Sequence, residues 1–543
     1  MSKNKANFLV QGSILAMAGI LVRVIGIIYR IPVQNILGTE GNAYYSAAFD
    51  VYSLFLLISS MSMPLAVSKI VSMKLAKNQI KNAYRAFVGA LMIGMAIGTV
   101  ISAIIFFGAE FFAKAWGYPS AVYAIKVLAP VLLIMSVLGV LRGFFQGMGT
   151  MMPTAISQIL EQIANAVVSI VGAMFLFKLG KGAGQSAALG AAGSTLGTLV
   201  GATVAFIFLV FVYMMYVPVL KRQLNRNRLV PEESYRDLSK ELMLTIAPVL
   251  LSTTVYNFSS ILDSGVFGNI CSRVFHIEES VYSAMYGIYS GSYKLLTTAP
   301  IAIASALSAA IVPSIIRSIT SGDKHTAIRK IESSMRLTMI IAIPAGMGLS
   351  VLGGPILELL FNIEPADMDY ATKIMVLSVV TVIVFAMSTI SNAVLQGINK
   401  MKTPIINAVI GMIIHYIALV LMLIVFKPNL YAVVIGDIIF GLAVCILNAV
   451  SIYKYMGYKQ EIIKTFVLPL TASAIMGVVT IVVYKISYMV AEINALACAL
   501  AILAAMVTYG LSLLLIKGIS EEELLMLPKG QKIVALLKRF SLI

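Results

Sequence analysis

The 543-residue chain is 60% hydrophobic and only 12% charged, against roughly 25% charged residues in a soluble domain, so a soluble globular protein is excluded. Its formal net charge of +17 would suggest nucleic acid in a soluble protein. In a chain of recurrent apolar runs it reads instead as basic residues collected in cytoplasmic loops, and no nucleic-acid partner is expected.

The N-terminus, residues 1–7, is short and basic. The apolar run after it is too long for a signal peptide and ends without a clean small-residue cleavage site, so it reads as a retained first span. Runs of about 20 apolar residues cross a bilayer as helices. The chain offers about 14 of them, at 8–29, 45–68, 86–112, 121–143, 153–177, 187–216, 242–267, 281–315, 335–356, 371–396, 404–426, 430–453, 463–486 and 493–516. The expected fold is therefore an all-α integral membrane protein in the cell membrane. Pro64, Pro130, Pro248, Pro300 and Pro344 lie in or beside spans and are expected to kink them, because each removes a backbone hydrogen bond. Trp116 and Tyr118 are expected at the outer interface as anchors.

With the N-terminus inside, roughly 29 of the 40 basic residues fall in cytoplasmic loops. Both termini are then cytoplasmic, and the segment from Glu358 to Asp369 is an acidic outer one.

Two stretches repeat. Leu141-Arg142-Gly143-Phe144-Phe145-Gln146-Gly147 continues through a Met-containing turn to Pro153; Asn392-Ala393-Val394-Leu395-Gln396-Gly397 continues through a similar turn, one residue longer, to Pro404. The tetrad Asn82-Ala83-Tyr84-Arg85 likewise finds Thr326-Ala327-Ile328-Arg329. The shift is six spans, an even number, so the halves are parallel repeats rather than inverted ones. The expected organisation is a six-helix bundle over 1–216, a cytoplasmic linker over 217–241 and a second six-helix bundle over 242–453. Two additional transmembrane helices over 454–518 and a cytoplasmic amphipathic tail over 519–543 follow.

Charges inside spans cost about 2.5–3.5 kcal/mol each on insertion scales and mark candidate sites. Arg23 lies deep in the first span and Arg30 follows nearly two helical turns later, so both face one side. Such a pair suits a phosphate or pyrophosphate, gripped bidentately; alternatively Arg30 snorkels and Arg23 pairs with a carboxylate. Lys294 closes the polar window Ser290-Gly291-Ser292-Tyr293-Lys294 in the eighth span and reads as a cavity cation or as a partner for an Asp. Asp50, Asp263 and Asp437 each pair with a cation, sense a proton or hold sodium, and Glu161 sits on a polar helix expected to face the interior. His415 reads as a hydrogen-bonded core histidine before a proton switch. The Gly193, Gly197 and Gly201 spacing reads as tight helix packing. Three scattered cysteines show neither disulfide nor zinc spacing. No P-loop, His-Glu-x-x-His or Cys-x-x-Cys motif is present, which argues against an ATP-driven pump or an enzyme and leaves no expected cofactor.

The order of these features resembles the multidrug/oligosaccharidyl-lipid/polysaccharide exporter superfamily, and within it the SpoVB/YtgP-type polysaccharide-biosynthesis proteins, which are similar to the lipid II flippases. The resemblance is carried by the segment Val22-Arg23-Val24-Ile25-Gly26-Ile27-Ile28-Tyr29-Arg30-Ile31-Pro32, by Arg142 to Gly147, by Tyr293-Lys294 through Pro300, by Ile311-Val312-Pro313-Ser314 and by Gln396-Gly397. It implies a V-shaped pair of bundles that alternate access to a central cavity. It also implies that Arg23, Arg30 and Lys294 stand near family arginines of spans one and eight, with Lys294 keeping charge but not bidentate geometry. The family's span-two arginine has no counterpart in Phe49-Asp50-Val51-Tyr52-Ser53, and Asp50 joins the substrate-binding candidates there. Some relatives bind sodium between spans seven, eleven and twelve, where Asp263 and Asn407 fall, with Gly411 in place of a second carboxylate.

The expected function is a flippase that moves a polyprenyl-diphosphate-linked wall precursor, lipid II foremost, to the outer leaflet. Coupling to membrane potential, sodium or protons is open. The partners are the lipid-linked sugar diphosphate and the bilayer, and the protein is expected as a monomer. The competing readings are a cation-coupled multidrug exporter, which wants a carboxylate-rich cavity where this chain has three cations, and a membrane scaffold for wall or spore-coat synthesis.

Overall fold

A computed structural model of the protein describes residues 2–61, 63–226, 231–519 and 531. Among them there is no strand. The chain divides into two compact units, Met1–Gly287 and Ile288–Ile543.

The first unit contains α1 (Ser2–Leu56), α2 (Met63–Ala76), α3 (Ile80–Phe107), α4 (Ala109–Trp116), α5 (Val122–Gly147), α6 (Met152–Gly180), α7 (Ser186–Arg226), α8 (Tyr235–Asn269) and α9 (Glu279–Gly287). The second contains α10 (Lys294–Thr320), α11 (Lys324–Val351), α12 (Gly353–Leu360), α13 (Pro365–Met375), α14 (Ser378–Gly397), α15 (Lys402–Val425), α16 (Leu430–Met456), α17 (Leu468–Ala491) and α18 (Asn494–Leu515).

Among the described residues, 11 helices are long and apolar enough to cross a membrane. The difference from 14 expected spans has local causes. The expected spans 8–29 and 45–68 are joined through α1, which is broken only at Gly38 (φ 66°, ψ −176°) and ends in the wide π-turn Leu57–Met61. The expected span 281–315 is divided by another π-turn, Ile288–Tyr293, between α9 and α10. Span 242–267 lies within α8, and most of the span's side chains, those of residues 245–260, fall outside the described set. The expected tail over 519–543 also lies almost wholly outside the described residues.

The π-turn before Pro64 follows from proline chemistry. Pro64 has no N–H for the carbonyl one turn back. Two serines bridge this region to α5: Ser60 donates to the Met135 carbonyl at 2.7 Å, and Ser136 donates to the Ser59 carbonyl at 3.3 Å. At Gly38 the Asn42 amide does the same work, donating to the carbonyls of Gly38 (2.7 Å) and Gln34 (3.2 Å).

The connection over 217–241 is more helical than the sequence suggested. Helix α7 runs through Pro218 to Arg226, and α8 starts at Tyr235, capped by the Ser234 hydroxyl. The two units divide later in the chain than that connection because α8 and α9 fasten onto the first unit. The Trp116 indole N–H donates to Ser264 at 3.0 Å and the Asn269 amide to the Ala115 carbonyl at 2.8 Å. Gly287 passes so close to Thr39 that a Cβ there would lie 1.7 Å from its carbonyl oxygen. Tyr118 is a correction to the sequence reading. It is fully buried, not an interface anchor, because left-handed Gly117 turns the chain inward and sets its ring 5.5 Å from Tyr282 and 6.1 Å from Tyr286.

Lipid tails are as apolar as leucine, so helix association in a bilayer rests on close packing and not on hydrophobic burial. The α6–α7 seam shows this. A Cβ on Gly193 would lie 2.1 Å from the Gly172 carbonyl oxygen, one on Gly197 2.1 Å from the Ser169 hydroxyl, and one on Gly201 2.6 Å from the Glu161 carbonyl oxygen. Along α5, Gly143 and Gly147 let α2 approach in the same way, with a Cβ on either meeting an atom at 2.7 Å.

The two Gln-Gly turns share one hydrogen-bond scheme. Gly149 N–H donates to Gln146 (2.9 Å) and Thr150 N–H to Phe145 (3.1 Å); Asn399 N–H donates to Gln396 (3.0 Å) and Lys400 N–H to Leu395 (2.9 Å). This is a Schellman-type helix end, with Gly149 (φ 81°) and Asn399 (φ 60°) as the left-handed residues. In the second unit the last helices are tied to α11 by the Arg336 guanidinium donating to the Gly518 carbonyl (2.9 Å) and the Tyr509 hydroxyl to the Ile340 carbonyl (2.7 Å).

Gly193→Leu is expected to cost at least the about 1–3 kcal/mol of ordinary overpacking, since the opposing atom is backbone and cannot move aside. Gly182→Leu, where an added Cβ meets nothing within 4 Å, is expected to leave stability unchanged. Thermal unfolding of the detergent-solubilised protein checks both.

Candidate functional site

The candidates fall in both units, and each unit is built separately. In the first, Arg23 is an exposed residue of α1 and makes no ion pair among the described residues. Arg30, seven residues on, is half-buried, with its guanidinium carbon 5.9 Å from the centre of the Tyr45 ring. An aromatic face attracts a cation without neutralising it, so both guanidinium groups keep their charge available to an anion. Helix α6 lies alongside. Gly26 leaves 3.3 Å between an added Cβ and the Gln162 amide, and the Asn165 amide donates to the Tyr29 hydroxyl at 3.4 Å. The face of α1 that carries the arginines therefore borders a polar row on α6.

Glu161, on the same stretch of α6, is half-buried and takes the guanidinium of Arg142 at 2.7 Å, while Arg142 Nε donates to the Ser157 hydroxyl at 3.1 Å. Sequence reasoning passed over Arg142 as part of a turn motif. Its signal was available: it stands at the end of an apolar run, where a buried cation calls for a compensating partner such as a carboxylate. The pair joins α5 to α6.

Asp50 accepts a hydrogen bond from the Ser264 hydroxyl, which itself accepts from Trp116. This relay joins α1, α4 and α8. Asp263, next in the chain to Ser264, is fully buried.

In the second unit, Lys294 opens α10 directly after the π-turn Ile288–Tyr293. It is half-buried, and its ammonium lies 5.6 Å from the centre of the Tyr289 ring. Tyr289 stacks with Tyr293 at 6.0 Å and donates its hydroxyl proton to Asp437. Tyr293 shares a 2.7 Å hydrogen bond with Thr381. The polar window of the sequence is thus a wide helical turn presenting a cation on an aromatic shelf. Thr297 and Thr298 donate to the Tyr293 (2.9 Å) and Lys294 (2.6 Å) carbonyls, which steadies that turn. A ring nitrogen of fully buried His415 lies within 4.8 Å of an Asp437 carboxylate oxygen.

Asn407 stands apart from this group. Its amide donates to Asn448 at 2.8 Å and Ser451 at 3.2 Å, and Asn448 donates in turn to Ser391 (2.9 Å) and Asn392 (2.8 Å). Both Asn407 amide protons are committed to a buried network joining α14, α15 and α16. Two of the three candidate cations, Lys294 and Arg30, thus rest on tyrosine rings.

A family model described as polysaccharide biosynthesis protein matches residues 9–319, more than half of the chain. The chain is 26% identical over 484 residues to the lipid II flippase MurJ of Bacillus subtilis (strain 168), across 86% of this chain and 86% of that one. It is 24% identical over 533 residues to the stage V sporulation protein B of the same organism, across 96% and 98%. A solved structure of a lipid II flippase MurJ in an inward closed conformation superposes with a TM-score of 0.66 at 15% identity, covering 92% of this chain and 97% of that one. An inward-facing multidrug resistance MATE transporter of the MOP superfamily superposes at 0.63 with 16% identity, covering 83% and 98%. At these identities the structures establish a shared fold, and the family match establishes more: the chain is a multi-pass, all-helical membrane protein that belongs to the polysaccharide biosynthesis protein family.

Proposed function

We propose that the protein is a flippase for a polyprenyl-diphosphate-linked cell-wall precursor, with lipid II as the first substrate to test, working by alternating access from the inner to the outer leaflet. The observation that carries this reading is the cation set. Arg23, Arg30 and Lys294 lie in apolar helices, and none has a carboxylate partner among the described residues. A lone cation in a membrane helix is costly, and a diphosphate supplies the missing counter-charge with acceptor oxygens that suit the planar guanidinium fork. The MurJ relative, similar along most of its length, supports the same substrate class. A drug exporter for organic cations would need unpaired carboxylates in place of these cations.

Arg23 and Arg30 bind the diphosphate in this reading, and Tyr45 holds the Arg30 guanidinium in place without competing for its charge. Lys294, in the second unit, is a further point charge available to an anion. The membrane potential supplies direction, because an inside-negative potential favours outward movement of each net negative charge by about 2.3 kcal/mol per 100 mV.

In proteoliposomes loaded with a fluorescent lipid-linked sugar diphosphate, Arg23→Ala is expected to abolish flipping while the unfolding temperature stays put. Full transport by that variant sinks the assignment. Arg30→Lys is expected to keep part of the rate, and Arg30→Ala to keep little, because lysine restores charge but not the bidentate grip. Imposing an inside-negative potential with a potassium gradient and ionophore is expected to speed outward movement. An unchanged rate would remove the potential as the driving force.

A further inference from the structure

The polar row of α6 carries more amides than its own packing uses. Gln158, Gln162, Asn165 and Ser169 recur at intervals of three and four residues, so they share one face of the helix. Two of them are committed to packing. The Ser169 hydroxyl lies 2.8 Å from both Asn165 Oδ1 and the Ser194 carbonyl of α7, and the Asn165 amide donates to the Tyr29 hydroxyl at 3.4 Å. Glu161, beside them, is taken by Arg142. Gln158 and Gln162 are different. Both are half-buried, and neither amide has a hydrogen-bond partner among the described residues.

The two open amides face away from lipid and toward the arginines. The exposed apolar residues of α6, Ile156, Ile163 and Val167, form a stripe on the largely opposite side of the helix. On α1, the exposed Leu21, Val24 and Ile28 likewise lie off the side that carries Arg23, Gly26 and Arg30. Gly26 meets Gln162 and Tyr29 meets Asn165, so the two helices run alongside in the same direction. Gln162 therefore stands at the level of Gly26, between Arg23 and Arg30, and Gln158, one turn earlier, comes level with Arg23. Gly26 keeps the room in front of the Gln162 amide open, since an added Cβ would lie 3.3 Å from its nitrogen. Polar groups that a membrane helix turns away from lipid without a partner line a polar space.

We propose that Gln158 and Gln162 are specificity-determining residues that bind the sugar joined directly to the diphosphate, while Arg23 and Arg30 hold the diphosphate itself. A carboxamide offers a donor and an acceptor without net charge. A sugar hydroxyl answers both, whereas a diphosphate only accepts and is better held by the guanidinium groups. The arginines thus select charge and the amides select the sugar beside it. This inference rests on the flippase reading for its substrate and adds a division of labour within that site.

The test titrates the full-length protein in phosphatidylcholine nanodiscs with two probes, a polyprenyl diphosphate and the same lipid carrying one hexose, and counts retained lipid by native mass spectrometry. The parent protein is expected to prefer the hexose-bearing lipid about tenfold, the scale of one or two net hydrogen bonds. Replacing both amides, Gln158→Leu with Gln162→Leu, is expected to erase that preference. Arg23→Ala is expected to weaken both lipids and leave the preference in place. Gly26→Val, which crowds the Gln162 amide from α1, is expected to lower the preference without altering either glutamine. Binding of both lipids by the parent protein with no preference overturns this inference and leaves the flippase reading standing, as does a preference that survives the double leucine substitution. A parent protein that retains neither lipid sinks the flippase reading and this inference with it.

Discussion

A backbone N–H or carbonyl inside a bilayer has no water to bond, so each break in a helix has to be satisfied by another part of the chain. Much of this protein's polar inventory answers that constraint. Asn42 covers the carbonyls at the Gly38 break, Ser60 and Ser136 bridge the π-turn before Pro64 to α5, and Thr297 and Thr298 bond the carbonyls after the second π-turn. Two of the three candidate cations stand near these irregularities. Arg30 precedes the Gly38 break by two turns, and Lys294 follows the Ile288–Tyr293 turn directly. Irregular backbone at membrane depth belongs where a helix borders a cavity, which is also where an unpaired cation is tolerable.

The intramembrane charges divide by their partners. Arg142 is neutralised by Glu161 and joins two helices, and Arg336 is capped by a carbonyl and joins the last helices to α11. Arg30 and Lys294 rest on tyrosine rings, and Arg23 is exposed. A cation bonded to a carboxylate is structural, because removing either partner strands a buried charge. A cation on an aromatic face is positioned yet still attractive to an anion. That distinction selects the candidate site from a larger set of charged residues.

The paired Gln-Gly stretches were the clearest repeat, and the structure gives them one local geometry. The same two backbone hydrogen bonds close both helices, with Gly149 in one and Asn399 in the other at the left-handed position. Glycine and asparagine are the residues that reach that conformation most readily, so the repeat survives a change of residue. Its chemistry is that of a helix end. The charge inside the first stretch, Arg142, points to α6 and not to the turn.

The apolar runs, the prolines, the glycine spacing of α7 and the Gln-Gly turns were legible in the sequence because each depends on residues within a few turns of one another. Hydropathy reads burial from water, and proline and glycine act on their own backbone. The partners were not legible. That Glu161 meets Arg142, that Ser264 meets Asp50, that Asn407 is committed to Asn448, and that Tyr118 is buried all depend on helices brought together from distant parts of the chain. Composition placed candidate charges inside the membrane. Only the tertiary structure decided which met a carboxylate, which an amide and which a tyrosine ring, because a charge inside a membrane is defined by its nearest partner, and that partner is chosen by packing.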